Sequence, residues 1–263
     1  MKAVTGVFRS RSDAERAMTQ MRSLGVAETK ITLLTPDKIE NNLASVPTVS
    51  AEQPGMGKAI GSVVGAVAGL SSGALVMAAI IPGVGLITAI GLLGGAVLAA
   101  AGASVGAIAG GKLENSMTEG LPEDELFVYE DALRKGRTVV IALSDDEAEA
   151  SRLRGLLTVE GAESVDAARE QWWIGLRSAE QEHYSALGRN FGDDEQFYRL
   201  GFESALHARM RCKEYDQVLS EMAVKLEEVQ RQYPDSNVEE PFTKGYERGR
   251  DYYQQLCGES KVA

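Results

Sequence analysis

Gly106 to Lys112 reads G-x-x-x-x-G-K, the opening of a loop whose backbone amides cradle phosphates and whose lysine reaches them. The next residue is Leu113, where that chemistry needs a hydroxyl to hold magnesium, and no strand pattern precedes the motif. Gly83-Val84-Gly85 starts a dinucleotide-type pattern but has no third glycine at the required spacing and no flanking strand pattern. The two histidines, His183 and His207, fall on different expected helices without an acidic or thiol cluster at zinc spacing. Asp145-Asp146 and Asp193-Asp194 each stand at an expected helix start, where negative charge is stabilised, so they are not read as acid–base pairs. No Ser, Cys or Lys has a recognisable activating partner. Lys244, Arg248 and Arg250 are interleaved with Glu247 and Asp251, which predicts a salt-bridged, solvated helix face and not an anion site. The reading is a non-enzyme with no catalytic residue, no cofactor and no metal.

The elements around these residues are organised by the stretch from Ala59 to Gly111, which contains no charged and no aromatic residue. Lys58 and Lys112 bound it, and Pro82-Gly83-Val84-Gly85 break it once. Each arm is long enough for a bilayer-spanning helix, which needs about 20 apolar residues. Gly57, Gly61, Gly65, Gly69 and Gly73 recur every fourth residue; Gly91 and Gly95, and then Gly102, Gly106 and Gly110, repeat the spacing. On helices these glycines form bare faces that allow close helix packing. The expectation is an apolar, transmembrane helical hairpin over 58–112 that turns at Pro82, Gly83 and Gly85 and self-associates through its glycines. No Trp or Tyr marks either end, where interfaces are usually enriched in both. That favours the competing reading, an assembly that hides the hairpins from water inside itself.

The chain of 263 residues has room for two small domains beside this insert, and its formal net charge of −11 argues against a nucleic-acid partner. Cys212 and Cys257 show no metal-ligand spacing, and with no secretory signal they suggest a reducing compartment. Ala3 to Phe8 reads as a strand. Ser12, with Glu15 three residues on, starts a helix that Gly25 ends, and Ile31 to Leu34 is a second strand. Residues 37–57 read as a linker. A helix runs from Leu121 to Leu133 and is closed by Gly136. Thr138 to Leu143 is a strand, Ser144 caps a helix with Glu147 as its partner, Gly161 ends it, and Ser164 to Ala167 is a last short strand. Two strand–helix–strand units, 1–36 and 121–168, predict an α+β fold: a ferredoxin-like βαβ-βαβ domain with the apolar hairpin inserted between its halves.

Residues 1 to about 168 resemble the bacterial heat-induced, or general, stress protein family with a YflT-like domain. The matching pieces are Val4-Thr5-Gly6-Val7-Phe8 with Asp13-Ala14-Glu15-Arg16-Ala17, the Gly/Ala-rich insert with Ile81-Pro82-Gly83-Val84-Gly85, Leu121-Pro122-Glu123-Asp124-Glu125, and Tyr129-Glu130-Asp131-Ala132-Leu133 with Gly136. The resemblance implies a link to stress responses and membranes, and it brings no agreed catalytic site and no cofactor.

Residues 171–258 hold most of the aromatics and predict an all-α bundle: helices over 178–187, from Asp193 towards Tyr233, and over 239–256. Tyr198-Arg199-Leu200-Gly201-Phe202-Glu203 is echoed by Phe242-Thr243-Lys244-Gly245-Tyr246-Glu247. In each, two aromatics four residues apart share a helix face. An aromatic core is the favoured role, beside an interaction role for Trp172, Trp173, Phe202 and Tyr246 towards a protein partner, or of the Trp pair towards a membrane surface. The function expected is a membrane-associated bacterial stress protein, a homo-oligomer on the plasma (inner) membrane with lipid as a partner and both termini cytoplasmic. The alternatives are a closed cytoplasmic particle with inward hairpins, and a pore lined by Ser62, Ser71, Ser72, Thr88 and Ser104.

Overall fold

The computed structural model describes residues 2–36, 66–68, 75–81, 84–91, 123–207, 210 and 215–259. It is a mixed α/β protein, an antiparallel sheet accompanied by helices, and it divides into two compact units, residues 1–122 with 128–168, and residues 123–127 with 169–263.

In the first unit β1 (Lys2–Phe8) leads to α1 (Arg11–Ser23) and β2 (Ile31–Pro36). Then come β3 (Ala66–Ala68), β4 (Leu75–Ile81) and β5 (Gly85–Ile90). A 3-10 turn at Glu123–Glu125 and the first two residues of α2 (Leu126–Arg134) belong to the second unit, and the rest of α2, β6 (Thr138–Ser144), α3 (Glu147–Val159) and the two-residue β7 (Glu163–Ser164) belong to the first. The strand order is β3-β4-β5-β2-β6-β1-β7, with every neighbouring pair antiparallel.

Side chains alternate across a strand, and the first unit uses both faces. Val4, Phe8, Ile31, Leu33, Val140 and Ala142 form one core with Ala14, Ala17, Met18 and Met21 of α1 and Ala150, Leu153 and Leu157 of α3. The alternate residues Val7, Leu34, Val139 and Ile141 are also buried, and on that face Tyr129 of α2 meets Thr5, hydroxyl to hydroxyl, at 3.0 Å. A central strand buried on both sides reads as a continuous apolar run, as Val139-Val140-Ile141-Ala142 does.

The helix starts differ from the expected ones. Ser10, not Ser12, is the N-cap of α1, its hydroxyl accepting from the Asp13 amide. Asp146, not Ser144, caps α3 by accepting from the Glu149 amide, while Glu149 accepts from the Asp145 amide at 2.7 Å. The pair is a variant of a capping box, its return bond made to the amide of the residue before the cap. Ser144 ends β6 and its hydroxyl donates to the Lys2 carbonyl. Gly25, Gly136 and Gly161 do end their helices, each with positive φ.

The main correction concerns the uncharged stretch. Its described residues are strands, not the arms of a helical hairpin: β4 and β5 pair from Ile81↔Gly85 to Val76↔Ile90, and β5 continues onto β2. Two physical reasons account for this. Val76, Ile80, Ile81, Ile87, Thr88 and Ile90 are β-branched, which suits a pleated surface. And a four-residue glycine period is even, so it places glycines on one face of a strand as readily as on one face of a helix. Gly91 is not a helix-packing glycine. It has φ +118°, and a Cβ there would lie 2.3 Å from the Ile31 carbonyl oxygen. Gly57, Gly61, Gly65, Gly69, Gly73, Gly95, Gly102, Gly106 and Gly110, Pro82 and Gly83 of the turn, and the linker 37–57 lie outside the described residues. Among the described residues no helix is long and apolar enough to cross a membrane.

The second unit is helical. Its helices are α4 (Val165–Ala186), from Arg169 on, α5 (Phe191–Ala205), α6 (Tyr215–Gln232) and α7 (Glu239–Glu259). Helix α4 starts at Val165, where a strand was expected to continue, and it carries Trp172 and Trp173 into the interior. Ala205, Val218, Met222, Phe242 and Tyr246 form a core between α5, α6 and α7.

Candidate functional site

The helical unit concentrates the chemistry-bearing side chains. On α4, Trp173, Arg177, Glu180 and Tyr184 recur at intervals of four and three, so they share one face. Glu195, in the second turn of α5, receives the Trp173 indole N–H at 2.9 Å and both Arg177 Nε and Nη2, at 2.7 and 2.6 Å. The Arg177 hydrogen bond holds the Glu195 carboxyl below its ordinary value; burial opposes this, and the Trp173 bond assists. Asp194 accepts from the Tyr184 hydroxyl at 2.9 Å, and Asp193 from the Asn190 amide at 2.6 Å. Asn190 is the N-cap of α5.

Glu180 is the most deeply placed carboxylate of the group, 1% exposed. The Tyr198 hydroxyl donates to it at 2.8 Å, and Arg248 donates through Nε at 3.0 Å and Nη2 at 3.1 Å. Burial works against the Arg248 charge, but the Glu180 hydrogen bond and charge outweigh it and raise its pKa. Burial, and then the Glu180 charge, push the Tyr198 phenol well above the ordinary range. Beside this network lies a cavity of about 380 Å³ lined by His183, Leu187, Arg189, Tyr198, Lys244, Glu247, Arg248 and Asp251.

The basic residues of α7 behave as expected in part. Lys244 pairs with Glu247 at 2.9 Å and Arg250 with Asp251 at 3.4 Å. Arg248 instead leaves its own helix for Glu180, so it is an internal cross-link and not part of the solvated face. Arg189 forks onto Glu240. Glu180 is the residue the sequence reading missed, and its signal was an acidic residue on the face that also carries Trp173, Arg177 and Tyr184.

The expected interface aromatics are core residues. Trp172, Trp173, Phe202 and Tyr246 are all at most 3% exposed. Trp172 packs on Phe127 with ring centroids 4.8 Å apart, and Phe202 lies 5.9 Å from both tryptophans. They are therefore unavailable to a membrane surface or a partner in this conformation.

The sequence echo proves to be a packing device. A Cβ on Gly201 would lie 2.0 Å from the Phe242 carbonyl oxygen, and a Cβ on Gly245 would lie 1.9 Å from the Tyr198 carbonyl oxygen. Each motif thus places its first aromatic residue against the glycine of the other, so α5 and α7 are exchanged by a local two-fold. Gly249 repeats the notch against Phe202 at 2.4 Å.

The remaining candidates are not assembled into a centre. His183 is exposed on α4, and no group of three metal-ligating side chains occurs among the described residues. Strand β4 does precede Gly83-Val84-Gly85, contrary to the sequence reading, but β5 follows it where a dinucleotide loop requires a helix. The 106–112 motif and Cys212 lie outside the described residues. Asp145 pairs with Lys30 at 2.5 Å, so both acidic pairs serve helix starts and their neighbours. No family model, no curated protein and no solved structure matches this chain.

Proposed function

We propose that the chain is a non-enzymatic, self-associating, membrane-associated stress protein whose association element is the uncharged stretch 59–111. We read β2-β6-β1-β7 with α1 and α3 as a ferredoxin-like unit that carries this element, since that order and the strand–helix–strand repeat are those of the fold. The observation that supports the reading is the β4–β5 hairpin. Its strands, Leu75–Ile81 and Gly85–Ile90, contain no charge on either face and join the sheet beside β2. The chain itself buries Ile87 and Ala89 on one face of β5, while Thr88 and Ile90 on the other are only partly buried; lipid or further copies of the chain can complete that cover. The buried Glu180 carboxylate of the helical unit acts in this reading as a brace for a rigid cytoplasmic module.

Strands that extend the sheet also favour the second reading, a closed particle in which copies bury the stretch against one another, because β3 is the terminal strand among the described residues and a terminal strand can pair with another chain. Fractionation of the native protein separates the two. The membrane reading expects it in the pellet, released by detergent as an oligomer, and expects Ile80→Lys to move it towards the supernatant. A large particle in the supernatant without detergent selects the second reading, and a monomer there overturns both.

A further inference from the structure

Two residues on the wall of the 380 Å³ cavity in the helical unit have charge left to use, Arg248 and Asp251. Arg248 gives one edge of its guanidinium, Nε and Nη2, to Glu180 at 3.0 and 3.1 Å. A guanidinium carries five N–H donors, so the other edge, Nη1 with the second Nη2 hydrogen, is still available. Arg248 makes no other hydrogen bond among the described residues. Glu180 is buried and does not line the cavity, whereas Arg248 does. The back of the guanidinium is thus anchored in the interior and its free fork is left to the open space. Asp251 stands one turn further along α7. Its partner among the described residues is its chain neighbour Arg250, at a long 3.4 Å, and its side chain is 52% exposed. The Asp251 charge favours the charged form of Arg248, yet the two do not meet in an ion pair. The other charges on the wall are committed: Lys244 and Glu247 to each other at 2.9 Å, and Arg189 to Glu240.

We propose that this cavity binds a free α-amino acid, its carboxylate on the Arg248 fork and its ammonium on Asp251. A planar guanidinium edge matches the two oxygens of a carboxylate. Asp251 would repel a simple anion and Arg248 a simple cation, so a ligand that carries both charges is the one that satisfies both residues. In an α-amino acid the two charged groups share one carbon, and residues three apart on a helix are neighbours on its surface. The side chain of the ligand is left to Leu187 and the Tyr198 ring, which line the same space. No unspent charge stands with them, and this selects an apolar side chain. The volume falls within the range of small-molecule sites.

The test is calorimetric titration of the purified full-length protein with L-leucine, L-methionine and L-phenylalanine. At least one is expected to bind once per chain with a Kd below about 1 mM. Its N-acetyl derivative lacks the ammonium and its amide lacks the carboxylate, and each is expected to bind at least about tenfold more weakly, the loss of one charged hydrogen bond. Asp251→Asn alters an exposed group, so it is expected to keep the urea transition of the parent and to weaken the free amino acid about tenfold. No binding of any of the three at about 10 mM overturns the proposal. So does a derivative that binds as tightly as the free amino acid, or a folded Asp251→Asn protein that binds it unchanged. The comparison of derivatives on the parent protein decides by itself if the variant does not fold.

Discussion

Glu180 shows how one buried carboxylate can fix a helical unit. It faces a phenol from α5 and a guanidinium from α7, and both donate to it at 3.1 Å or less. Removing its charge leaves Arg248, whose side chain is 23% exposed, without its partner. Glu180→Gln is therefore expected to cost about 3 kcal/mol in urea unfolding, the scale for breaking one side of a buried pair. Tyr198→Phe should cost less, about 1.5 kcal/mol, because it removes a single hydrogen bond to a charged acceptor. The tyrosines add a pH dependence. Burial, with the Glu221 charge assisting, pushes the Tyr246 phenol up to about 12, and burial raises Tyr184 and Tyr198 further. A phenol whose folded value is raised binds its proton more tightly when folded. Its stabilising effect is complete below the unfolded value of about 10 and is lost as pH rises through the folded value. Tyrosinate absorbance should accordingly show a late, cooperative step that coincides with loss of helical signal; ionisation of all tyrosines near their ordinary value with the helices intact would contradict this.

At the scale of elements, the α5–α7 contact makes two glycines non-interchangeable with alanine. At Gly245 an added methyl would meet a backbone carbonyl at 1.9 Å, which the helices relieve only by separating. Gly245→Ala is expected to destabilise by about 3 kcal/mol, the upper range for overpacking, although alanine is the better helix former. Gly155, exposed in the middle of α3 with nothing within 4 Å of an added Cβ, supplies the control. Gly155→Ala should stabilise by about 1 kcal/mol. Equal effects of the two substitutions in thermal melts would refute the notch. The echo around Gly201 and Gly245 was visible in the sequence as two aromatics flanking a glycine. That the two copies face each other was not, because a repeat in one chain does not state its own symmetry.

At the scale of the whole molecule, the role proposed for the uncharged stretch makes its own prediction. The stretch adds β4 and β5 to a sheet whose strands β1, β2 and β6 already bury residues on both faces. Charge introduced there should act on assembly and not on the helical unit. Ile80→Lys is expected to change sedimentation while leaving the urea transition of the helical unit within about 0.5 kcal/mol, since distant sites add independently. A shift of that transition by several kcal/mol would mean that the stretch props up the helices instead.

The sequence by itself determined the strand–helix–strand halves, the glycine stops at Gly25, Gly136 and Gly161, the helical character of the last third, and the inwardness of its aromatics. These follow from local periodicity and backbone chemistry, which are written residue by residue. Tertiary structure decided the rest. Whether a β-branched, glycine-punctuated run is helix or strand depends on a neighbouring ladder such as β2, because its even glycine period fits both. Whether Arg248 faces solvent or Glu180 depends on the approach of α4, some seventy positions earlier in the chain, and no local pattern in α7 could announce that partner.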